Sequence, residues 1–146
     1  MCDHCGCRSF PPIAELTADH EEILRLAWVL AEAAHNGTTP DASTRRELVE
    51  LLDLHVAKEE TGLYPVLLGS GGIYAEQVAD LEEEHRELGR CLAGPVFDRR
   101  TYYALAAHIE EEEMELFPAA MFGFDEEEWE ATSDAHRAVV GSTVRR

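Results

Sequence analysis

Two stretches of this chain read nearly the same, 53 residues apart. The first is His55-Val56-Ala57-Lys58-Glu59-Glu60 followed by Leu63-Tyr64-Pro65. The second is His108-Ile109-Glu110-Glu111-Glu112-Glu113 followed by Leu116-Phe117-Pro118. Both have the form H-x-x-x-E-E-x-x-L-[YF]-P. A His and a Glu four residues apart lie one above the other on a helix. Two such helices facing each other bring two imidazoles and two carboxylates to one point, a donor set suited to iron-type metals.

The rest of the chain fits a helical scaffold for such a point. At 146 residues with 45% apolar content, it is long enough to bury a core and too apolar to be disordered. Alternating β-branched runs are few, and Ala, Leu and Glu dominate. The formal charge of −18 repels nucleic acid and anionic membranes. No apolar run approaches a membrane span. The start, Met1-Cys2-Asp3-His4, lacks the basic and apolar regions of a signal peptide, so a cytoplasmic location is expected. There Cys2, Cys5, Cys7 and Cys91 are expected to be thiols.

Punctuation divides the chain. Residues 1–12 form a Cys-rich head ending at Pro11-Pro12, and residues 13–146 a single domain. A first helix is expected from a Thr17 cap to His35, stopped by Asn36-Gly37. A second is expected from about Thr44 to Tyr64, with Pro65 kinking or ending it. Gly69-Ser70-Gly71-Gly72 breaks the chain. A third helix follows from about Ile73 to Leu92, stopped by Gly94-Pro95, and a fourth from an Asp98 cap to about Met121. Asp125 with Glu128 resembles a capping arrangement for a short last helix, with a loose tail after Gly141. The expected fold is all-α, an up-down-up-down four-helix bundle with a short extra C-terminal helix.

The apolar stripes turn the repeat into half of a larger constellation. His20 falls in line with Ile23, Ala27 and Leu30; His55 and Glu59 with Leu48, Leu52 and Leu63. His85 falls in line with Val78, Leu81 and Leu88; His108 and Glu112 with Leu105, Ile109 and Leu116. Six polar residues on four helices therefore point inward. A carboxylate facing an apolar core is costly unless paired or bound to metal, and no Lys or Arg lies on these stripes. Shared hydrogen bonding in a core would account for one such His; a duplicated motif with all six favours a metal. His35, 15 residues beyond His20 and so about 22 Å along the helix, cannot reach the same point. It is expected to complement a helix C-terminus. His136 is expected on the surface.

This order of motifs resembles the hemerythrin-like family, the HHE cation-binding domains: one His, then H-x-x-x-E, one His, then H-x-x-x-E, over roughly residues 14 to 122. The resemblance implies a four-helix bundle around a non-haem di-iron centre. On this chain it implies that Glu59 and Glu112 bridge two irons, that His20 and His55 hold one, and that His85 and His108 hold the other. An oxo or hydroxo bridge and a position open to dioxygen or peroxide are implied with it. The oxygen carriers of the family have a further His one turn before the equivalent of His85, where this chain has Leu81. Water or a carboxylate such as Glu82 is expected to take its place, which favours peroxide chemistry or iron exchange over reversible carriage.

Other readings are weaker. Glu82-x-x-His85 and Glu32-x-x-His35 match the E-x-x-H pairs of ferritin-like proteins but leave the repeat unexplained. Zinc accepts the same donors. Within the resemblance, the functions span a module that binds dioxygen, peroxide or nitric oxide, an iron-binding, sensing or storage module without turnover, and a ferroxidase or peroxide-decomposing enzyme. The head, Cys2-x-His4-Cys5-x-Cys7, offers a second donor group for zinc, copper(I) or redox chemistry. Cys91 is expected as a packed thiol.

Overall fold

The computed structural model describes residues 10–144 of the chain. All regular structure among them is helical, and none of these helices is long and apolar enough to cross a membrane. The elements are α1 (Pro11–Asn36), α2 (Ala42–Lys58), a π turn (Glu59–Leu63), α3 (Tyr64–Ser70), α4 (Ala75–Ala93), α5 (Arg99–Glu111), a second π turn (Glu112–Leu116), α6 (Phe117–Gly123) and α7 (Glu126–Val144). Because each π turn joins two α segments directly, the described chain forms five long rods.

The caps follow local chemistry. Gly37, at φ 68°, ends α1, its N–H and that of Thr38 reaching back to Ala34 and Ala33 carbonyls. Asp41 caps α2 by accepting from the Ser43 N–H, and Asp98 caps α5 by accepting from the Thr101 N–H. Asp125 and Glu128 form the reciprocal box that opens α7. Gly71, at φ 81°, ends α3.

Three sequence expectations are corrected: the start of the first helix, the length of the last and the loose tail. Helix α1 begins at Pro11, six residues before Thr17, because proline is at home in a first turn, where its missing N–H would have no partner. Thr17 is buried inside the helix instead of capping it. At Pro65, expected to kink or end its helix, the helical course continues, as it does at Pro118. Each follows a π turn in which the Tyr64 or Phe117 N–H bonds back five residues to the Glu59 or Glu112 carbonyl. The wider turn makes each proline a first-turn residue of the next α segment, where its missing N–H is tolerated. Finally α7 runs 19 residues through Val144, so it is neither short nor followed by a loose stretch at Gly141.

Helix α1 packs on α2 and α5, and α4 packs on α5 and α2. Helix α7 lies against α1, α2, α3 and the first π turn. Two apolar clusters form. One joins Ile23, Leu26, Leu30, Leu48, Leu52, Phe97, Leu105 and Ile109. The other joins Ile13, Leu16, Leu63, Tyr64, Leu67, Leu81, Leu116 and Phe117. On each rod the polar residues picked out by the stripes lie between the members of these clusters: His20 between Leu16 and Ile23, Glu59 between Leu52 and Leu63, Glu112 between Ile109 and Leu116. The polar layer is therefore sealed by hydrocarbon at both ends.

Candidate metal centre

All six residues converge. His20 comes from α1, His55 from the last turn of α2, His85 from α4 and His108 from the last turn of α5. Glu59 and Glu112 are the first residues of the two π turns. The six form two overlapping groups with mutually close donor atoms: His20, His55, Glu59 and Glu112, and Glu59, His85, His108 and Glu112. Both carboxylates belong to both groups. His55 Nε2 lies 3.1 Å from Glu59 Oε1, His85 Nε2 3.4 Å from the same oxygen, and His108 Nε2 2.7 Å from Glu112 Oε1. The Nε2 atoms of His85 and His108 are 3.0 Å apart.

This crowding fits a cation. Glu59 and Glu112 are fully buried, yet none of their four oxygens makes a hydrogen bond, and neither does Nε2 of His20 or of His55. Buried polar atoms are seldom left so. Their lone pairs point at a shared space instead of at donors, which is what a set of ligands for a positive ion looks like, and imidazole with carboxylate is the donor mix of iron or zinc.

The outer nitrogen of every histidine faces an acid. His55 Nδ1 is 3.0 Å from Asp19 Oδ2, His20 Nδ1 is 3.5 Å from Glu113 Oε2, and His85 Nδ1 is 3.3 Å from Glu60 Oε1. His108 Nδ1 makes a short contact with Glu84 Oε2. At His55, His85 and His108 the acid is a hydrogen-bond partner that fixes the ring's orientation and directs the inner nitrogen's lone pair at the centre, whereas His20 Nδ1 makes no hydrogen bond to Glu113. The pairing crosses between helices in a regular way. The acid just before each lone histidine, Asp19 or Glu84, serves the histidine of a repeat. The second Glu of each repeat, Glu60 or Glu113, serves the lone histidine of the other helix. The repeat's aromatic follows the same rule: Tyr64 stacks on His85 with ring centroids 5.9 Å apart, and Phe117 on His20 at 5.7 Å. Each H-x-x-x-E-E-x-x-L-[YF]-P string thus supplies two inward donors, one orienting acid and one stacking ring.

Electrostatics follow from burial and these neighbours. Burial pushes the Glu59 carboxyl up, but the imidazoles of His55, His85 and His20 outweigh it and hold the group well below the carboxylate range. Burial pulls His55 down, yet Glu59 and Asp19 raise it to about 9. His85 is raised against burial by Glu59 and Glu60, whereas burial keeps His108 lowered despite Glu84. Glu59 is accordingly an anion at neutral pH, ready for a cation.

The two halves differ in detail. Tyr64 carries a hydroxyl 3.4 Å from His85 Nε2, where Phe117 has none beside His20. Burial and the surrounding acids raise that phenol strongly. Leu81 is buried in the Tyr64–Phe117 cluster and donates nothing. Glu82, the acid expected near the missing histidine, joins neither ligand group; Glu60 and Glu84 lie against His85 and His108 instead. A cavity of about 180 Å³ between α4 and α5, lined by Leu88, Cys91, Thr101, Ala104 and Leu105, reaches His85 and His108.

Several functional neighbours escape a reading of the stripes: Asp19, Glu60, Glu84 and Glu113, which flank the ligands in sequence, and Lys58. The signal was present in the doubled Glu of the repeat and in the acid before each lone His. Lys58, which lies off the stripes, is buried; it pairs with Glu15 and Asp19 and, as expected, not with Glu59 or Glu112. His136, expected on the surface, is 2% exposed. His35 is exposed in the last turn of α1, and Glu32 pairs with Arg99, so the second ferritin-type pair contributes nothing here. Cys91 is a half-buried free thiol in the α4–α5 cavity. Cys2, His4, Cys5 and Cys7 lie outside the described residues.

Residues 11–95 match the model of the Hemerythrin HHE cation binding domain, a span that holds His20, His55, Glu59 and His85; the geometry adds His108 and Glu112. No curated protein and no solved structure is matched by the chain. With more than half its length under that match, and the matched histidines and glutamate gathered in one buried layer, the chain belongs to the hemerythrin HHE cation-binding family.

Proposed function

We propose that the chain folds as a single domain over residues 13–146, a four-helix bundle with α7 laid along one side, and that it holds two non-haem irons which bind or react with dioxygen, peroxide or nitric oxide. The observation that carries this reading is the sharing of Glu59 and Glu112 between the two ligand groups. Two groups with common carboxylates suit two ions joined by bridges. His20 and His55 would complete one position, His85 and His108 the other. Zinc could occupy the same donors. Iron, when bound, supplies the redox chemistry toward dioxygen or peroxide that no side chain here offers.

The chain's own residues would do the rest. The apolar clusters exclude bulk water from both ends of the layer. Asp19, Glu60 and Glu84 would hold the imidazoles of His55, His85 and His108 in register. The apolar cavity between α4 and α5 gives a small neutral molecule a way to His85 and His108. Leu81, where the carriers have a fifth histidine, keeps the protein donors at six, which favours reaction over reversible carriage.

Protein produced with iron should carry about two irons per chain. Glu59→Ala or Glu112→Ala should abolish that loading, and full retention of iron by either variant would sink the assignment. Anaerobic reduction followed by exposure to dioxygen or hydrogen peroxide, watched by absorption, separates the roles. Repeated peroxide loss marks an enzyme, a stable reversible band marks a carrier, and no response marks an iron-holding module.

A further inference from the structure

We propose that α7 is part of the metal centre: His136, Glu15 and Lys58 form a positioning chain that holds Asp19 against the outer nitrogen of His55. The chain rests on the metal reading above for its purpose, though its geometry stands alone. His136 Nδ1 lies 3.3 Å from Glu15 Oε2. Glu15 Oε1 lies 2.6 Å from Lys58 Nζ, which lies 3.0 Å from Asp19 Oδ2, and the same Asp19 oxygen lies 3.0 Å from His55 Nδ1. Lys58 is 5% exposed, so its ammonium is tied to these two carboxylates and not to water. A buried cation held between two acids fixes both in place, because moving either leaves a charge uncompensated.

The internal repeat shows that this chain belongs to one half only. Fifty-three residues after Lys58 stands Glu111, and 53 after Gly62 stands Glu115. Gly62 lies in the first π turn and Lys58 ends α2, and α7 packs on both elements. A Cβ on Gly62 would come within 3.1 Å of His136 Cδ2 and 3.2 Å of Ala135 Cβ, so the glycine is what lets α7 seat His136 this deep. Among the described residues the other half has no such helix: Glu84, which orients His108, is about half exposed and lies near the acidic Glu111. Asp19 therefore owes its fixed position to a fifth helix that carries none of the six ligands.

The test uses the full-length, metal-free protein with Co²⁺ as probe in competition with a chelator. Lys58→Met, Glu15→Gln and His136→Gln should each weaken Co²⁺ binding measurably, by less than the about 10- to 100-fold expected for removing Asp19, the direct outer partner of His55. Lys58→Arg, which can still bridge Glu15 and Asp19, should restore most of it. The His55 Nδ1–H resonance, read by ¹⁵N NMR without metal, should exchange faster in the first three variants and stay protected in Lys58→Arg. Should Lys58→Met fail to fold, Glu15→Gln, at a partly exposed residue, carries the test. Folded variants with wild-type affinity and a protected Nδ1–H would overturn the proposal. A wild-type chain that takes up no Co²⁺ would instead refute the metal reading, and the resonance would still judge the positioning chain.

Discussion

At the scale of single residues, the repeated string divides its labour by direction. Within H-x-x-x-E-E, the first Glu turns to the shared space while its neighbour turns to a histidine on another helix. Adjacent helical positions are about 100° apart, so one carboxylate can be a ligand and the next an orienting partner. The aromatic position tests this equivalence. Phe117 stacks on His20 without a hydroxyl, so Tyr64→Phe should keep the fold and the stack on His85. It removes one long contact at 3.4 Å and should cost no more than about 1 kcal/mol, measured by chemical denaturation. A larger loss, or loss of metal, would mean that the phenol itself is a required partner of the centre. The inward donors were legible in the stripes; the outer partners were not, because periodicity reports which face a residue occupies and not which helix lies opposite.

At the scale of elements, the π turns decide the geometry. Each begins at a bridging-candidate glutamate and ends just before the aromatic and the proline. Inserting one residue per turn rotates everything that follows, which lets Glu59 face the centre while Tyr64 faces His85. A proline inside a helical pattern ordinarily announces a kink or an end; here Pro65 follows a π turn and the helical course continues past it. The first π turn is also the seat of α7. Gly62→Leu should force α7 off its seat and destabilise the fold by about 1–3 kcal/mol, read as a lower denaturation midpoint. Unchanged stability would show that α7 docks elsewhere. The length of α7 was hidden because its sequence, Glu126 to Val144, has a weak apolar stripe with small residues. Its buried members, Thr132 and His136, are polar.

At the scale of the whole molecule, two apolar clusters enclose a layer in which the four oxygens of Glu59 and Glu112, and Nε2 of His20 and of His55, have no hydrogen-bond partner. Without a cation, that layer works against folding. Metal should therefore stabilise the fold by mass action, about 2.7 kcal/mol at a hundredfold excess over Kd. At about 2–4 °C per kcal/mol for a chain of this size, Tm should rise by several degrees on loading and fall back on chelation. A Tm indifferent to metal would contradict the role assigned to the layer.

What the sequence determined by itself is the content of the layer. Six donors on four amphipathic stripes, with one string recurring 53 residues on, admit little other than helices packed around a shared polar point. What only the tertiary structure decided is everything that crosses between rods: which acid steadies which imidazole, how a helix passes its proline, and that the last helix buries a histidine over Lys58. Helical periodicity is a property of one segment and survives in the sequence. The partner across an interface depends on rotation and register between segments, which two π turns and one glycine set here.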